Sequence, residues 1–179
     1  GNVIDGLPEN DPLKVSSLSY NGGSELYMAM KPYKMMGEIL RQQPRDIVFS
    51  VCQYGMSDVW KWGDAVYGNC WRTTNDITDT WASVKNIALD QDKSAPYARP
   101  GNWNDPDMLV VGHVGWGNPH PSKLKPDEQY LHISLWSLFA APLLIGCDME
   151  KLDDFTLNLL TNDEVIEINQ DPLGMQATC

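Results

Sequence analysis

The sequence predicts an α/β fold built on a parallel sheet, and three observations lead to this prediction. Short β-type runs alternate with segments of helical hydrophobic period, which is the order that βαβ units produce. Polar residues follow two of the strand-like runs directly, Gln53 after Cys52 and Asp148 after Cys147. A chain of 179 residues with 42% hydrophobic and 21% charged residues is long and apolar enough to bury a core.

The predicted strands are short apolar or β-branched runs bounded by turn residues. They lie at Leu13–Leu18, Asp46–Cys52, Met108–Val111 and Leu143–Cys147. Because the acids at 105 and 107 precede the third run instead of following it, we expect that strand to begin before Asp107 and to extend less far than its composition suggests. The carboxyl ends of these strands are then the predicted place for function.

The predicted helices are segments in which apolar residues recur every three or four positions. They lie at Glu25–Gln42, at Asp76–Asp90, from Pro126 to the residues before Pro142, and as one or two short helices within 153–169. Pro44 ends the first, and Pro126 suits the first turn of the third because its missing N–H is unpaired there anyway. Between them, residues 53–75 form a loop rich in Gly and Trp.

Two acids in the stretch Trp103–Gly112 are the main chemical signal. Asp105 and Asp107 are two residues apart, so in a strand their side chains would point to the same side, and Trp103 offers a flat apolar surface of the kind that sugars stack on. The pattern indicates either a site for a hydroxyl-rich ligand or a plain Asx-Pro turn before a buried strand.

Charge and composition narrow the possible partners. The net charge of −11 repels phosphate backbones, so nucleic acid is not expected, and no apolar run reaches the length of a membrane span. The three histidines lack ligand spacing, and we expect no metal. Cys52 and Cys70 enclose a loop that a disulfide could close, which would require an oxidising compartment, or they are two buried thiols.

Several stretches together resemble the catalytic barrel of glycoside hydrolase family 27, the α-galactosidase and α-N-acetylgalactosaminidase family. They match in order and spacing over about residues 10–175: Phe49–Gly55, Gly68–Ile77, Trp103–Gly112, Ser134–Leu143 and Ile166–Gly174. The resemblance implies a (β/α)₈ barrel of which this chain covers about strands four to eight. It divides the chain into a poorly matched leader at 1–12, a partial barrel at 13–175, and the start of a further region at 176–179.

The resemblance also implies roles for individual residues. Asp76 matches the general acid/base, while Arg72 matches an arginine that contacts the sugar near the acid. Asp107, with Met108 beside it, matches a carboxylate that binds sugar hydroxyls. Without the resemblance, Arg72 and Asp76 would be interpreted as an ion pair four residues apart on a helix.

Two positions depart from the family pattern. The stretch at 13–17 stands where the family has Lys-Tyr-Asp: Lys14 fits the substrate lysine, but Ser16 occupies the position of the nucleophilic aspartate. A serine hydroxyl is a poor nucleophile without a base. Gln53 stands where α-galactosidases commonly have Glu near the sugar 2-position, and its amide can still hydrogen-bond a 2-hydroxyl.

The predicted function is therefore a retaining glycosidase that releases terminal α-D-galactose without metal or cofactor. A galactose-binding pseudoenzyme and an inactive fragment are the alternatives, and an α-N-acetylgalactosaminide or a β-L-arabinopyranoside is the alternative substrate. A partial barrel leaves sheet edges uncovered, which favours a homo-oligomer or a complementing barrel half. The resemblance and the possible disulfide favour a secreted, periplasmic or lysosome-like compartment.

Overall fold

The computed structural model of the chain describes residues 23–115 and 117–178. The α-helices and strands are α1 Gly23–Arg41, β1 Ser50–Val51, β2 Cys70–Arg72, α2 Trp81–Leu89, β3 Trp103–Asp105, β4 His113–Val114, β5 His120–Pro121, α3 Pro126–Leu138, α4 Asp154–Leu160 and α5 Asp163–Asn169. Single 3₁₀ turns lie at Met56–Lys61, Asp64–Val66, Gln91–Lys93, Ala95–Tyr97 and Met149–Lys151. The predicted strand Leu13–Leu18 lies outside the described residues.

The sheet confirms the predicted α/β order with much shorter strands. β1, β2 and β3 are adjacent and parallel, with Ser50 opposite Cys70 and Cys70 opposite Trp103. A single parallel bridge between Leu109 and Ile145 replaces the two strands predicted at 108–111 and 143–147. β3 begins at Trp103, before both Asp105 and Asp107, so the prediction that this strand starts before Asp107 is confirmed.

The helices apart from α2 lie close to their predicted bounds. α1 buries Leu26 and Met30, while Met36 and Ile39, on the same predicted face, are about half exposed. α2 begins later than predicted, at Trp81, because the Thr80 hydroxyl accepts a hydrogen bond from the Ser83 N–H and caps it there. The stretch from Asp76 to Thr80 is thereby left as a loop.

Two apolar clusters hold these elements together. One packs α1 against the 53–75 loop and β2 around Trp62 and Trp71. Gly63 is required there, because a Cβ at this position would lie 2.2 Å from the Trp71 ring. The other surrounds Trp136 of α3, which is fully buried, and joins α2, α3 and α4 to the segment 109–111.

Cys52, Cys70 and Cys147 are free thiols in the described structure, so of the two alternatives for Cys52 and Cys70 the disulfide is not formed there. β1 and β2 pair with Ser50 opposite Cys70, which leaves Cys52 two residues out of register. Two strand residues of rise and one strand spacing separate the Cα atoms by about 8 Å, beyond the reach of a disulfide. Cys52 is exposed and Cys70 is buried.

Apolar side chains are exposed in the segment before β1 and in the segment that bridges to Leu109. Val48, which precedes β1, is 78% exposed, and Leu144 and Ile145 at the other side are each about half exposed. Within the described residues β1 pairs with β2 alone. The same residues include no helix long and apolar enough to cross a bilayer.

Candidate functional site

Four of the sequence-predicted residues lie at the carboxyl edge of the parallel sheet. Arg72 is the last residue of β2, and Asp76 follows in the loop before α2. Asp107 comes two residues after β3 and Gln53 two residues after β1. This edge is where parallel sheets place polar side chains from different strands near one another.

Arg72 joins the two carboxylates of the site. Its guanidinium lies 2.7 Å from Asp107 Oδ2 and 3.1 Å from Asp76 Oδ1. The two ion pairs differ in environment, since the Asp107 side chain is 5% exposed and the Asp76 side chain is 75% exposed. The pair predicted four residues apart is present, but Arg72 lies on a strand and Asp76 in a loop, so the helix interpretation is wrong.

Asp107 is held in place by the backbone around it. It adopts a left-handed conformation with φ of 85°, which aspartate tolerates better than most residues. Its Oδ1 accepts a hydrogen bond from the Met108 N–H and its Oδ2 one from the Ile77 N–H, each at 2.8 Å. The Trp136 indole donates to the Asp107 carbonyl at 2.6 Å. The carboxylate therefore has a fixed direction before any ligand binds.

Asp105 is a buried structural residue that does not line the cavity described below. It ends β3, is 1% exposed, and its Oδ1 accepts a hydrogen bond from the Asp107 N–H at 2.8 Å. Burial raises the pKa of the Asp105 carboxyl, although this hydrogen bond and the charge of Arg72 oppose the rise. The expectation that strand alternation places both acids on one side does not apply, because Asp107 lies outside β3 with a left-handed backbone.

A cavity of about 390 Å³ opens beside these groups. Its lining includes Arg72, Asp76, Asp107 and Met108 from the predicted set, together with Asp79 and His120. Gln53 does not line this cavity: it is half-buried at the end of β1. The positions predicted for the substrate lysine and the nucleophile, Lys14 and Ser16, lie outside the described residues.

Comparison with known proteins identifies the family. A profile described as alpha galactosidase A matches residues 11–171. The chain belongs to the alpha-galactosidase A family. Alpha-galactosidase 2 of Arabidopsis thaliana is 47% identical over 80% of this chain and 34% of its own length. The alpha-galactosidase of Cyamopsis tetragonoloba is 45% identical over 90% of this chain and 38% of its own length.

A solved structure of a GH27 enzyme has a similar fold. The GH27 β-L-arabinopyranosidase of Geobacillus stearothermophilus superposes with a TM-score of 0.74 at 30% identity, over 79% of this chain and 34% of that one. The chain thus spans about a third of the length of these α-galactosidase-family relatives. Its described part is a partial α/β unit of a barrel enzyme, while its assignment to strands four to eight remains a prediction.

Two contacts of this family member were not predicted from its sequence. The Tyr54 ring lies 5.4 Å from the Arg72 guanidinium carbon, within the range of a cation–π contact. His120 and Asp79 form an ion pair at 3.0 Å although 41 residues separate them. No local spacing signals these contacts, because each joins segments that meet only in the folded chain.

Of the described histidines, His120 lines the cavity, whereas His132 is fully buried in the core. Among residues 23–115 and 117–178, no group of three His, Cys, Asp or Glu side chains is close enough to hold a metal ion. Burial lowers the pKa of His132 to about 4, so this histidine is neutral, and its Nε2 accepts a hydrogen bond from the Val110 N–H. His132 is therefore a core residue behind the site.

Proposed function

We propose that this chain supplies the acid/base side of a retaining glycosidase active site that releases terminal α-D-galactose. The observation that carries the proposal is that Arg72, Asp76, Asp107 and Met108 line one cavity. The resemblance selected these residues from the sequence, Asp107 also stood out in the local pattern, and nothing in their spacing requires Asp107 to lie near Asp76. Membership of the alpha-galactosidase A family supports the reaction class.

Asp76 has the freedom that an acid/base needs. Arg72 contacts only its Oδ1, and its side chain is 75% exposed to the cavity and solvent. Oδ2 can therefore give a proton to the glycosidic oxygen as the aglycone leaves and later take one from the attacking water. Arg72 fixes the direction of the carboxyl group during both steps.

Asp107 and Arg72 are suited to hold the sugar. The Asp107 carboxylate is buried, oriented by two backbone N–H groups, and neutralised by Arg72 at 2.7 Å. Such a carboxylate can accept a hydrogen bond from a sugar hydroxyl without a free-energy cost for reorienting its own side chain. Met108 adds an apolar surface beside it, which suits the C–H face of a pyranose.

The choice of sugar depends on Gln53 and Lys14. In our proposal Lys14 and Gln53 contact sugar hydroxyls, Gln53 at the 2-position, where an amide both donates and accepts. Galactose is the first choice. A β-L-arabinopyranoside is the alternative, supported by the solved arabinopyranosidase relative; an α-N-acetylgalactosaminide is the third possibility.

Ser16 favours a second candidate function, a galactose-binding protein without turnover. A retaining glycosidase needs a second carboxyl about 5–5.5 Å from the acid/base to form the covalent intermediate. The resemblance places Ser16 at that position. A serine there would leave binding intact and remove the nucleophile, and a Ser16→Asp substitution would then restore hydrolysis.

A proton NMR time course with 4-nitrophenyl α-D-galactoside separates these functions. We expect α-galactose to form first and to mutarotate afterwards, which is the signature of retention. Asp76→Asn should abolish or strongly reduce release of the sugar. The matched control is Asp90→Asn, since Asp90 is an exposed carboxylate that pairs with Lys93 away from the cavity.

Each outcome points to one conclusion. β-Galactose as the first product would contradict a retaining mechanism. Broadened sugar resonances without product, together with product after Ser16→Asp, would establish the binding protein. Neither binding nor turnover in either protein would refute the proposed function.

A further inference from the structure

The β4–β5 hairpin forms part of the cavity wall and is tied to the loop that carries Asp76. Asp79, three residues after Asp76, has a side chain only 10% exposed. Its Oδ2 accepts hydrogen bonds from His120 Nε2 and from the Lys123 backbone N–H, both at 3.0 Å. Its Oδ1 lies 3.5 Å from Lys123 Nζ. One buried carboxylate thus connects two segments that both line the cavity.

The hydrogen-bond partners of His120 define its protonation state. Nδ1 lies 2.9 Å from the Asn118 carbonyl oxygen and Nε2 lies 3.0 Å from Asp79 Oδ2. A carbonyl oxygen and an ionised carboxylate only accept hydrogen bonds, so both ring nitrogens carry a proton when both contacts are formed to an ionised Asp79. In that state His120 is an imidazolium. The Asn118 carbonyl and the Asp79 carboxylate accordingly raise its pKa.

The Asp76 loop is held at Asp76 itself and at two residues that follow it. Arg72 contacts the Asp76 carboxyl, and the next backbone N–H, that of Ile77, donates to Asp107 Oδ2 at 2.8 Å. Asp79 then binds the hairpin. Only Ile77 and Thr78 separate Asp76 from Asp79, so a displacement of Asp79 is transmitted to the acid/base.

We propose that Asp79 and His120 are positioning residues for Asp76. Their ion pair, which we call the clasp, fixes the loop of the acid/base and holds the hairpin as one wall of the cavity. The role of Asp76 rests on the proposed function, whereas the clasp can be tested without substrate.

The clasp has a defined pH window. Within the described residues, the imidazole faces Asp79 from the loop before α2 and Lys123 from its own segment. The other charged groups that line the cavity are Arg72, Asp76 and Asp107. Because the pKa of His120 is raised above its usual 6.5, its contribution is fully present below that unfolded-state value and is lost as pH rises through the folded-state pKa. For Asp79, burial alone would raise the pKa, but the hydrogen bonds from Lys123 and His120 outweigh it and lower the value, so the clasp weakens again only in acid.

Two backbone amides report on the clasp directly by hydrogen exchange. The Lys123 N–H is bound to Asp79, and the Ile77 N–H is bound to Asp107 beside Asp76. We expect both amides, corrected for intrinsic exchange, to lose protection together by about tenfold as His120 loses its proton, the change that one charge-assisted hydrogen bond typically produces. The His120 ring resonances, followed in the same samples, give the midpoint.

Two variants test whether the contact between Asp79 and His120 causes this loss of amide protection. Asp79→Asn should lower protection of Lys123 and Ile77 at neutral pH and remove the alkaline step, and in active protein it should lower kcat more than it raises KM. His113→Gln is the matched control, because His113 lies on the same hairpin but outside the clasp, and it should keep the wild-type profile. The wild-type titration decides the question if the variant fails to fold.

Two results would overturn the proposal. If Lys123 loses protection while Ile77 keeps it, the clasp holds the hairpin alone and does not position the acid/base. If His120 titrates at or below its usual pKa, the imidazolium is absent. A protein without galactoside binding whose amides behave as expected would refute the proposed function and leave the clasp intact.

Discussion

Replacing Arg72 by methionine should destabilise the protein strongly, and the structure sets the size of the effect. The substitution keeps much of the apolar stem but leaves the 5% exposed Asp107 carboxylate without its charged partner. Removing one member of a buried ion pair costs about 3–5 kcal/mol. Asp107 keeps the Ile77 and Met108 N–H groups, so we expect a loss of about 2–4 kcal/mol in the free energy of unfolding.

The second ion pair of Arg72 provides the matched comparison. Because the Asp76 side chain is 75% exposed, its pair with Arg72 contributes at most about 1 kcal/mol. Asp76→Asn should therefore change the unfolding free energy little while it removes the proposed chemistry. Urea unfolding at neutral pH measures both variants, and Arg72→Met should also lower Tm by about 5–15 °C. Equal losses in the two variants, or a loss below about 1 kcal/mol for Arg72→Met, would refute this reasoning.

Two further predictions follow from buried groups. The pKa of His132 falls from 6.5 to about 4 on folding, so between these pH values the unfolded chain binds a proton that the folded chain does not. The free energy of unfolding should therefore fall by about 1.4 kcal/mol for each unit by which the pH drops from 6.5 towards 4. His132→Gln should remove that part of the slope in urea titrations at several pH values, and identical slopes would contradict the assignment. A maleimide should label Cys52 in the native protein and spare Cys70, as peptide mass spectrometry can determine; a Cys52–Cys70 linked peptide would contradict the strand register.

Helices were predictable from the sequence because their signal is local. The period of apolar residues around Met30 and Trp136 is fixed by each helix alone, and both side chains are buried as that period requires. The strands at 108–111 and 143–147 were overestimated, because a run of apolar residues is buried equally well in an irregular segment that pairs at a single bridge. The apolar composition of a segment indicates that the segment is buried, whereas strand pairing also depends on a partner segment elsewhere in the chain.

The candidate site was predictable only in part. Arg72, Asp76 and Asp107 were found through motifs, and the structure brings them together. The left-handed backbone at Asp107, which sends Asp105 into a structural role, depends on the exit of the chain from β3 and on the Trp136 indole. The hairpin formed by β4 and β5 has no local signal in the sequence, because its strands are two residues each and its contact with Asp79 joins it to a segment far earlier in the chain.

The hydrogen bonds of Asp107 limit what this carboxylate can still do for a ligand. A carboxylate offers about four lone-pair positions. Three are taken, by the Met108 N–H on Oδ1 and by the Ile77 N–H and Arg72 on Oδ2. One acceptor position remains, on Oδ1, and it points in a direction that the backbone has already set. A hydroxyl-bearing ligand at this site would therefore have at most one acceptor position on Asp107, so ligands of the same composition that differ in the orientation of that one hydroxyl would be distinguished at this atom.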